Sequence, residues 1–328
     1  MRSTSKLVVR AGAALLAVVV TLTLLAPVVA PNSPGEQFAD RSYAPPMRIH
    51  IRDADGFRRP FVYRQILEDR LMKRYREDHT APVPLSWFSR GKIVSIGAEH
   101  GPLLLFGADA IGRDILSRLL HGAGLSLGVT LAGVVGALVI GALVGALAGS
   151  AGGFTETALM AAADFVLILP GAYLVLVLRG LLPEVLSTTQ VFLVISLLFA
   201  LAAWPHPARG VRAIVRSERT RDYAEAARAA GAGPWRLARH LVPAAWSFLA
   251  IEVALLVPAL LVAEATISFL GLGFTEPQAS WGTMLQDATN VRVIDEAPWM
   301  LAPAFALFLV VLGVQFVAKT TKPSITQV

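Results

Sequence analysis

Apolar runs long enough to cross a bilayer alternate with shorter polar segments along most of this chain. The runs are 7–30, 125–149, 158–182, 189–204, 244–270 and 300–318. A hydrocarbon core about 30 Å thick needs about 20 predominantly apolar residues per helical span. The pattern predicts an all-α polytopic membrane protein with six transmembrane helices, the fourth short enough to begin nearer Leu186. Residues 32–106 break the pattern. There Met47, Ile49 and Ile51 alternate with Arg48, His50 and Arg52, and Asp53-Ala54-Asp55-Gly56 forms a turn before Phe57 and Phe61-Val62-Tyr63, which predicts a hairpin. Residues 66–78 carry Leu67, Leu71 and Tyr75 on one helical face, and 93–96 and 103–106 read as strands. The expectation is a small α+β insertion between the first two spans.

Composition agrees with the membrane class: 55% of the residues are hydrophobic and only 16% charged, with a mean hydropathy of +0.61. Arg2, Lys6 and Arg10 before the first run also suit a signal peptide. The apolar run exceeds a typical signal core, however, and Pro31 directly after Ala30 obstructs cleavage, so an uncleaved anchor is expected.

Charge sets the expected orientation, because short loops rich in lysine and arginine stay in the cytoplasm. The loop between the fourth and fifth runs carries Arg209, Arg212, Arg216, Arg219, Arg221, Arg228, Arg236 and Arg239 against Glu218, Asp222 and Glu225. The next loop holds Glu276, Asp287, Asp295 and Glu296 with Arg292, and the carboxyl end carries Lys319 and Lys322. Both termini inside satisfies these together, and it places 32–106 outside. The basic balance then reports topology, and without a soluble basic domain or interleaved aromatics it gives no reason to expect nucleic acid.

Most catalytic chemistries lack their residues. The chain has no cysteine, its six histidines are scattered without ligand spacing, and no metal is expected. Asp53-Ala54-Asp55-Gly56 lacks the later ligands of a calcium loop, and no GxxxxGK[ST] segment exists to cradle a nucleotide. No cofactor is expected on this chain; ATP-Mg belongs to another subunit.

The segment 222–243, DYAEAARAAGAGPWRLARHLVP, is a polar island between spans. Asp222 or Thr220 can cap a helix running through Glu225 and Arg228 to Ala230, with Ala224, Ala226, Ala227, Ala229 and Ala230 leaving it nearly without bulky side chains. Gly231 suits the left-handed residue past a helix end, and Gly233-Pro234 suits the start of a second helix with Trp235, Ala238, Leu241 and Val242 on its apolar face. Periodicity alone leaves two readings open: a docking surface for a partner, or a helix lying on lipid headgroups.

Glu225-Ala226-Ala227, followed after three residues by Gly231 and later by a proline, resembles the cytoplasmic loop of membrane subunits of binding-protein-dependent ATP-binding-cassette importers. Phe106-Gly107-Ala108-Asp109-Ala110-Ile111-Gly112-Arg113-Asp114 with Ser117-Arg118, then Ala263-Glu264-Ala265, Ser268-Phe269-Leu270-Gly271-Leu272-Gly273 and Ser280-Trp281-Gly282, resemble the dipeptide, oligopeptide and nickel branch of that family in its C-type subunit. The resemblance covers 106–303. Pro243 follows Gly231 at a spacing one residue shorter than the family's, and 32–106 is longer than in common members.

The resemblance implies a division into an anchor (1–31), an extracytoplasmic insertion (32–106), a permease domain (107–318) with its coupling loop at 205–243, and a cytoplasmic tail (319–328). It implies a non-enzymatic subunit of the bacterial inner membrane, with two ATPase subunits, a second, B-type permease subunit and an extracytoplasmic solute-binding protein as partners beside membrane lipid. Asp222, Tyr223, Ala224, Glu225, Ala226, Ala227, Arg228 and Gly231 are the implied ATPase-coupling residues, and Asp109, Gly112, Arg113 and Asp114 the branch signature, whose charges suit capping and local pairing ahead of contact with the solute-binding protein. Peptides are the implied cargo, with nickel or another small solute as the alternative and a secondary transporter as a remoter one.

Ionisable residues inside spans are candidates for the path because burying a charge in lipid costs on the order of 3 kcal/mol. Asp164 and Glu264 are expected to line a cavity or to pair helices, Glu252 to reach the cytoplasmic end of its span, and Arg179 to anchor at an interface. Gly124, Gly128, Gly141, Gly145 and Gly149 in the second span permit close helix contacts.

Overall fold

A computed structural model describes residues 2–53, 56–70, 72–169, 186–231, 233, 241–289 and 291–319. Its helices are α1 (Arg2–Leu24), α2 (Ala26–Val29), α3 (Ile115–Ala151), α4 (Gly153–Ile168), α5 (Thr188–Ala203), α6 (Pro205–Glu218), α7 (Asp222–Ala229), α8 (Trp246–Phe269), α9 (Trp281–Gln286), α10 (Val291–Glu296) and α11 (Ala302–Ala318). Among the described residues four stretches are long and apolar enough to cross a membrane: Lys6–Leu24, Ile115–Ala151, Val242–Phe269 and Pro298–Ala318. The pair Thr188–Ala203 and Pro205–Glu218, bent by 44°, makes a fifth if it counts as one span. The expected third span begins in α4, and its continuation, with Pro170 and Arg179, lies outside the described residues.

At 37 residues, α3 is about 55 Å long, well beyond the hydrocarbon thickness. The sequence pattern predicted it only from Leu125, because Arg118, His121 and the small residues after them dilute hydropathy where the helix has already begun. Pro258 lies inside α8 without ending it, as spans tolerate when neighbouring groups satisfy the freed carbonyl.

The chain divides into two compact units. The first comprises Met1–Ala13, Leu127–Glu264 and Val311–Val328. Here the glycines of α3 meet α6 at four-residue intervals. A β-carbon on Gly141 would lie 2.6 Å from the Pro207 Cβ, one on Gly145 2.9 Å from the Val211 Cβ, and one on Gly149 2.8 Å from the Arg212 carbonyl oxygen. The facing residues Pro207, Ala208, Val211 and Val215 are buried, so rows of residues four apart interlock.

The second unit comprises Ala14–Ser126 and Ala265–Val310. Its insertion is a β structure with short 3-10 turns, and this corrects the α+β expectation. Strands β1 (His50–Asp53), β2 (Gly56–Asp69) and β3 (Arg74–Pro84) form one antiparallel sheet; β4 (Ser86–Ser89) and β5 (Lys92–Ser95) form another. The helix expected over 66–78 is instead the β2–β3 hairpin: Leu67 and Tyr75 are cross-strand partners, so their nearness arises across a turn. Leu71 lies outside the described residues. The expected hairpin around Gly56 and the strand near 93–96 are present, whereas 103–106 is not a strand. Leu103 and Leu104 are buried there with Met47, Val62, Val83 and Ile96.

Candidate functional site

In the first unit, α6 and α7 present the loop that the sequence singled out. The Arg221 carbonyl accepts from the Ala224 and Glu225 amides at 2.9 and 3.1 Å and so starts α7, while Arg221 pairs with Glu218 at 2.9 Å. Tyr223 Oη donates to Glu218 at 2.9 Å. Neither Asp222 nor Thr220 is seen capping: the Thr220 hydroxyl donates back to the Ser217 carbonyl.

Alanine placement sorts the faces of α7. Ala224 is fully buried with Val211, Val215, Ala146, Leu241, Ala245 and Leu249, and Ala227 packs beside it. Asp222, Tyr223, Glu225, Ala226 and Ala229 are exposed, as is Gly231. The Arg228 side chain and residues 234–240, the expected second helix with Trp235, lie outside the description. Gly231 has φ +81°, the left-handed conformation expected just past a helix end, and among the described residues nothing lies within 4 Å of a β-carbon placed there.

Glu156 fastens α6 from α4, accepting from Arg212 Nε at 2.6 Å and Arg216 Nη1 at 3.0 Å. The hydrogen bond from Arg212 holds its carboxyl below the usual carboxylate range. Asp164, two turns further along α4, pairs with Arg209 of α6. Glu252 and Glu264 are buried in α8. Sequence reading missed Glu156 because it precedes the apolar run and has no partner within its own helix.

The second unit holds the branch signature. Asp109 accepts from the Ile111 and Arg113 amides at 3.0 and 2.9 Å and from Arg113 Nε at 2.6 Å. Gly112, at φ +81°, closes this turn; its amide donates to the Asp109 carbonyl at 3.1 Å. Asp114 caps α3, accepting from the Leu116 and Ser117 amides at 3.1 and 3.3 Å, from Asn32 Nδ2 at 3.0 Å and from the Ser117 hydroxyl. Burial nevertheless pushes its carboxyl pKa up.

Glu276, from the segment after α8, then joins both arginines. It pairs with Arg113, and Arg118 Nη2 reaches it at 2.8 Å. Asp287 stands 4.0 Å from Arg113. Burial alone would lower the Arg113 pKa, but hydrogen bonds to Glu276 and Asp109 outweigh it and the net shift is upward. Burial and then repulsion from Asp109 and Glu276 push Asp287 up. The expected local pairing of Asp109, Gly112, Arg113 and Asp114 is thus half of a larger network. Glu276 and Asp287 were legible only as acidic loop residues.

Two further branch motifs, 268–273 and 280–282, lie in the same unit. Ser280 caps α9 with Thr283, the Trp281 amide donates to Ser126 at 3.0 Å and its indole to the Leu119 carbonyl at 3.1 Å. A β-carbon on Gly282 would lie 2.7 Å from the Ser268 Cβ. The Trp299 indole donates to the Ala108 carbonyl at 3.0 Å.

Residues 137–327 match the family described as binding-protein-dependent transport system inner membrane component. The chain is 31% identical over 306 residues, 92% of its length and 82% of the relative's, to the di/tripeptide transport system permease protein DppC of Pseudomonas aeruginosa. It is 36% identical over 214 residues to a putative peptide permease protein of Brucella ovis, covering 65% of this chain and 69% of the relative. It is 35% identical over 232 residues to the nickel transport system permease protein NikC of Escherichia coli, covering 70% and 80%.

Proposed function

The chain belongs to the family of inner membrane components of binding-protein-dependent transport systems, and we propose that within it this permease carries peptides and is driven through α7. Residues Asp222–Gly231 dock on an ATPase subunit, with a second ATPase serving a B-type permease that completes the translocation path. A solute-binding protein delivers cargo from outside. Both termini and 205–243 face the cytoplasm, and six spans cross the membrane.

One observation carries the coupling reading: α7 buries Ala224 and half-buries Ala227 against its own chain and turns Asp222, Tyr223, Glu225, Ala226 and Ala229 outward. Apart from Tyr223, the outward face is small or acidic, which admits close approach by a partner. The inward face transmits the push, because Ala224 packs on Val211 and Val215 of α6, and α6 lies against Gly145 and Gly149 of α3 without room for a methyl group. ATP-driven closure of the ATPases moves α7, and the spans follow as a lever.

The DppC-type relative that aligns over 92% of the chain supports peptide cargo. The nickel relative, aligned over 70%, gives the second reading. In the complete transporter, Glu225→Lys and Gly231→Trp are expected to abolish uptake while membrane insertion and subunit abundance stay normal. Uptake at wild-type rates in both variants removes the coupling assignment. Uptake of labelled di- and tripeptides by the wild-type complex, against that of radioactive nickel, decides the cargo.

A further inference from the structure

The β4–β5 hairpin stands where the first membrane helix ends. Lys92 Nζ donates to the Pro27 carbonyl at 3.0 Å, just past Leu24, where the apolar span stops. The hairpin turns through Arg90 and Gly91, at φ 55° and 73°, between paired Ser89 and Lys92. Two left-handed central residues are the mark of a type I′ turn, which favours asparagine or glycine at the position Arg90 holds. Phe88 is also left-handed, at φ 53°. This interrupts the alternation of a strand, and consecutive Trp87 and Phe88 are 53% and 82% exposed.

An exposed tryptophan and phenylalanine beside two cations suit a bilayer interface, where aromatic rings lie at headgroup level and basic side chains reach along them. Arg90 and Lys92 also line a cavity of about 300 Å³ shared with Asn32, Ser33, Glu36 and Ser95. Two cations and a carboxylate in one cavity complement an anion and an ammonium a few atoms apart. Lys92 keeps donor capacity for such an anion, since an ammonium has three protons and Pro27 takes one.

We propose that the β4–β5 hairpin lies on the membrane surface and that its cavity holds the headgroup of a zwitterionic phospholipid of the phosphatidylethanolamine type. The phosphate meets Arg90 and Lys92, and the ammonium meets Glu36. A free dipeptide carries the same two charges, but the place of the cavity at a span end and the exposed aromatic pair favour the lipid. The inference rests on the span and the hairpin, and it stands whichever solute the transporter carries.

The test uses the full chain, which has no native cysteine. A spin label on Phe88→Cys in phosphatidylethanolamine and phosphatidylglycerol nanodiscs is expected to be more accessible to oxygen than to a water-soluble nickel chelate. Water-like accessibility overturns the surface placement. Accessibility that changes only when the solute-binding protein is added also overturns it, in favour of a protein interface. Native mass spectrometry is expected to show retained phosphatidylethanolamine in preference to phosphatidylglycerol, with retention about tenfold weaker in Arg90→Asn, since a charge-assisted bond contributes about 1.5 kcal/mol. Asparagine suits the turn, so this variant keeps the hairpin while removing the cation. Equal retention in wild type and variant overturns the headgroup site. Soluble glycerophosphoethanolamine is expected to displace the lipid where dialanine does not; displacement by dialanine alone overturns the proposal in favour of a peptide pocket.

Discussion

Arg113, in the turn before α3, and Glu276, in the segment after α8, form a two-pronged ion pair across 163 residues of sequence. Arg113 and Arg118 are 4% and 1% exposed, and Glu276 is 40% exposed. Removing its charge leaves Asp109 and the more distant Asp287 to answer two buried guanidinium groups. Glu276→Gln is therefore expected to cost about 2 kcal/mol, below the roughly 3–5 kcal/mol for breaking a fully buried pair because water already reaches this carboxylate. Denaturant titration of the purified chain in detergent measures it; an unchanged midpoint would show that the network contributes nothing to the fold.

Asp287 gives the same network a pH dependence. Its folded-state pKa is raised by burial and by Asp109 and Glu276, so at pH values between the ordinary carboxylate pKa and the raised one the folded chain holds a proton there that the unfolded chain has released. Stability from this group is present below the ordinary carboxylate value and is lost as pH rises through the raised folded value. Asp287→Asn is expected to flatten that slope. Melting temperatures of wild type and variant, compared from pH 7 down to about 4, are expected to converge at the acid end. A constant gap across the range would contradict the assignment.

The glycines of α3 separate by position. Gly149→Ala is expected to destabilise by about 1–3 kcal/mol, because the methyl group meets the Arg212 carbonyl and Val215 and α6 must shift. Among the described residues, the methyl group of Gly124→Ala meets only Thr23, at 3.9 Å. It is expected to be neutral, or to stabilise by up to about 1 kcal/mol from helix propensity. Thermal unfolding of the two variants in parallel checks the contrast.

Much of the fold was legible because lipid demands long apolar runs, and α8 and α11 begin within a few residues of where hydropathy places them. The insertion was read less well. Leu67 and Tyr75 sit eight positions apart, a spacing that suits a helix face, yet the same pair meets across the β2–β3 turn; periodicity over so short a stretch does not distinguish the two. The faces of α7 were half legible: its alanine content marked it as a contact element, but nothing local says that Ala224 turns inward and Ala226 outward. That choice is made by Val211 and Val215 on α6. Glu276 stayed hidden because an ion pair across 163 residues leaves no trace in spacing.

Glu156 is the residue through which the coupling reading can be probed without touching α7. It holds Arg212 and Arg216 of α6, and α6 carries the buried valines on which Ala224 rests. If α6 is the lever arm, loosening this clamp lets α7 move without the spans following. In the complete transporter, Glu156→Ala is then expected to leave ATP hydrolysis near wild type and to lower solute uptake per ATP, where loss of α7 docking would lower both. Arg212→Ala should have the same signature, and the double variant should be no worse than either single one, with an interaction energy of about 0.5–1 kcal/mol in stability for so accessible a pair. Low pH acts in the same direction. The Glu156 carboxyl is held below its ordinary value, so its contribution is present above that value and is lost as pH falls through the folded-state pKa. Independent, additive losses in the double variant would place the lever elsewhere than in α6.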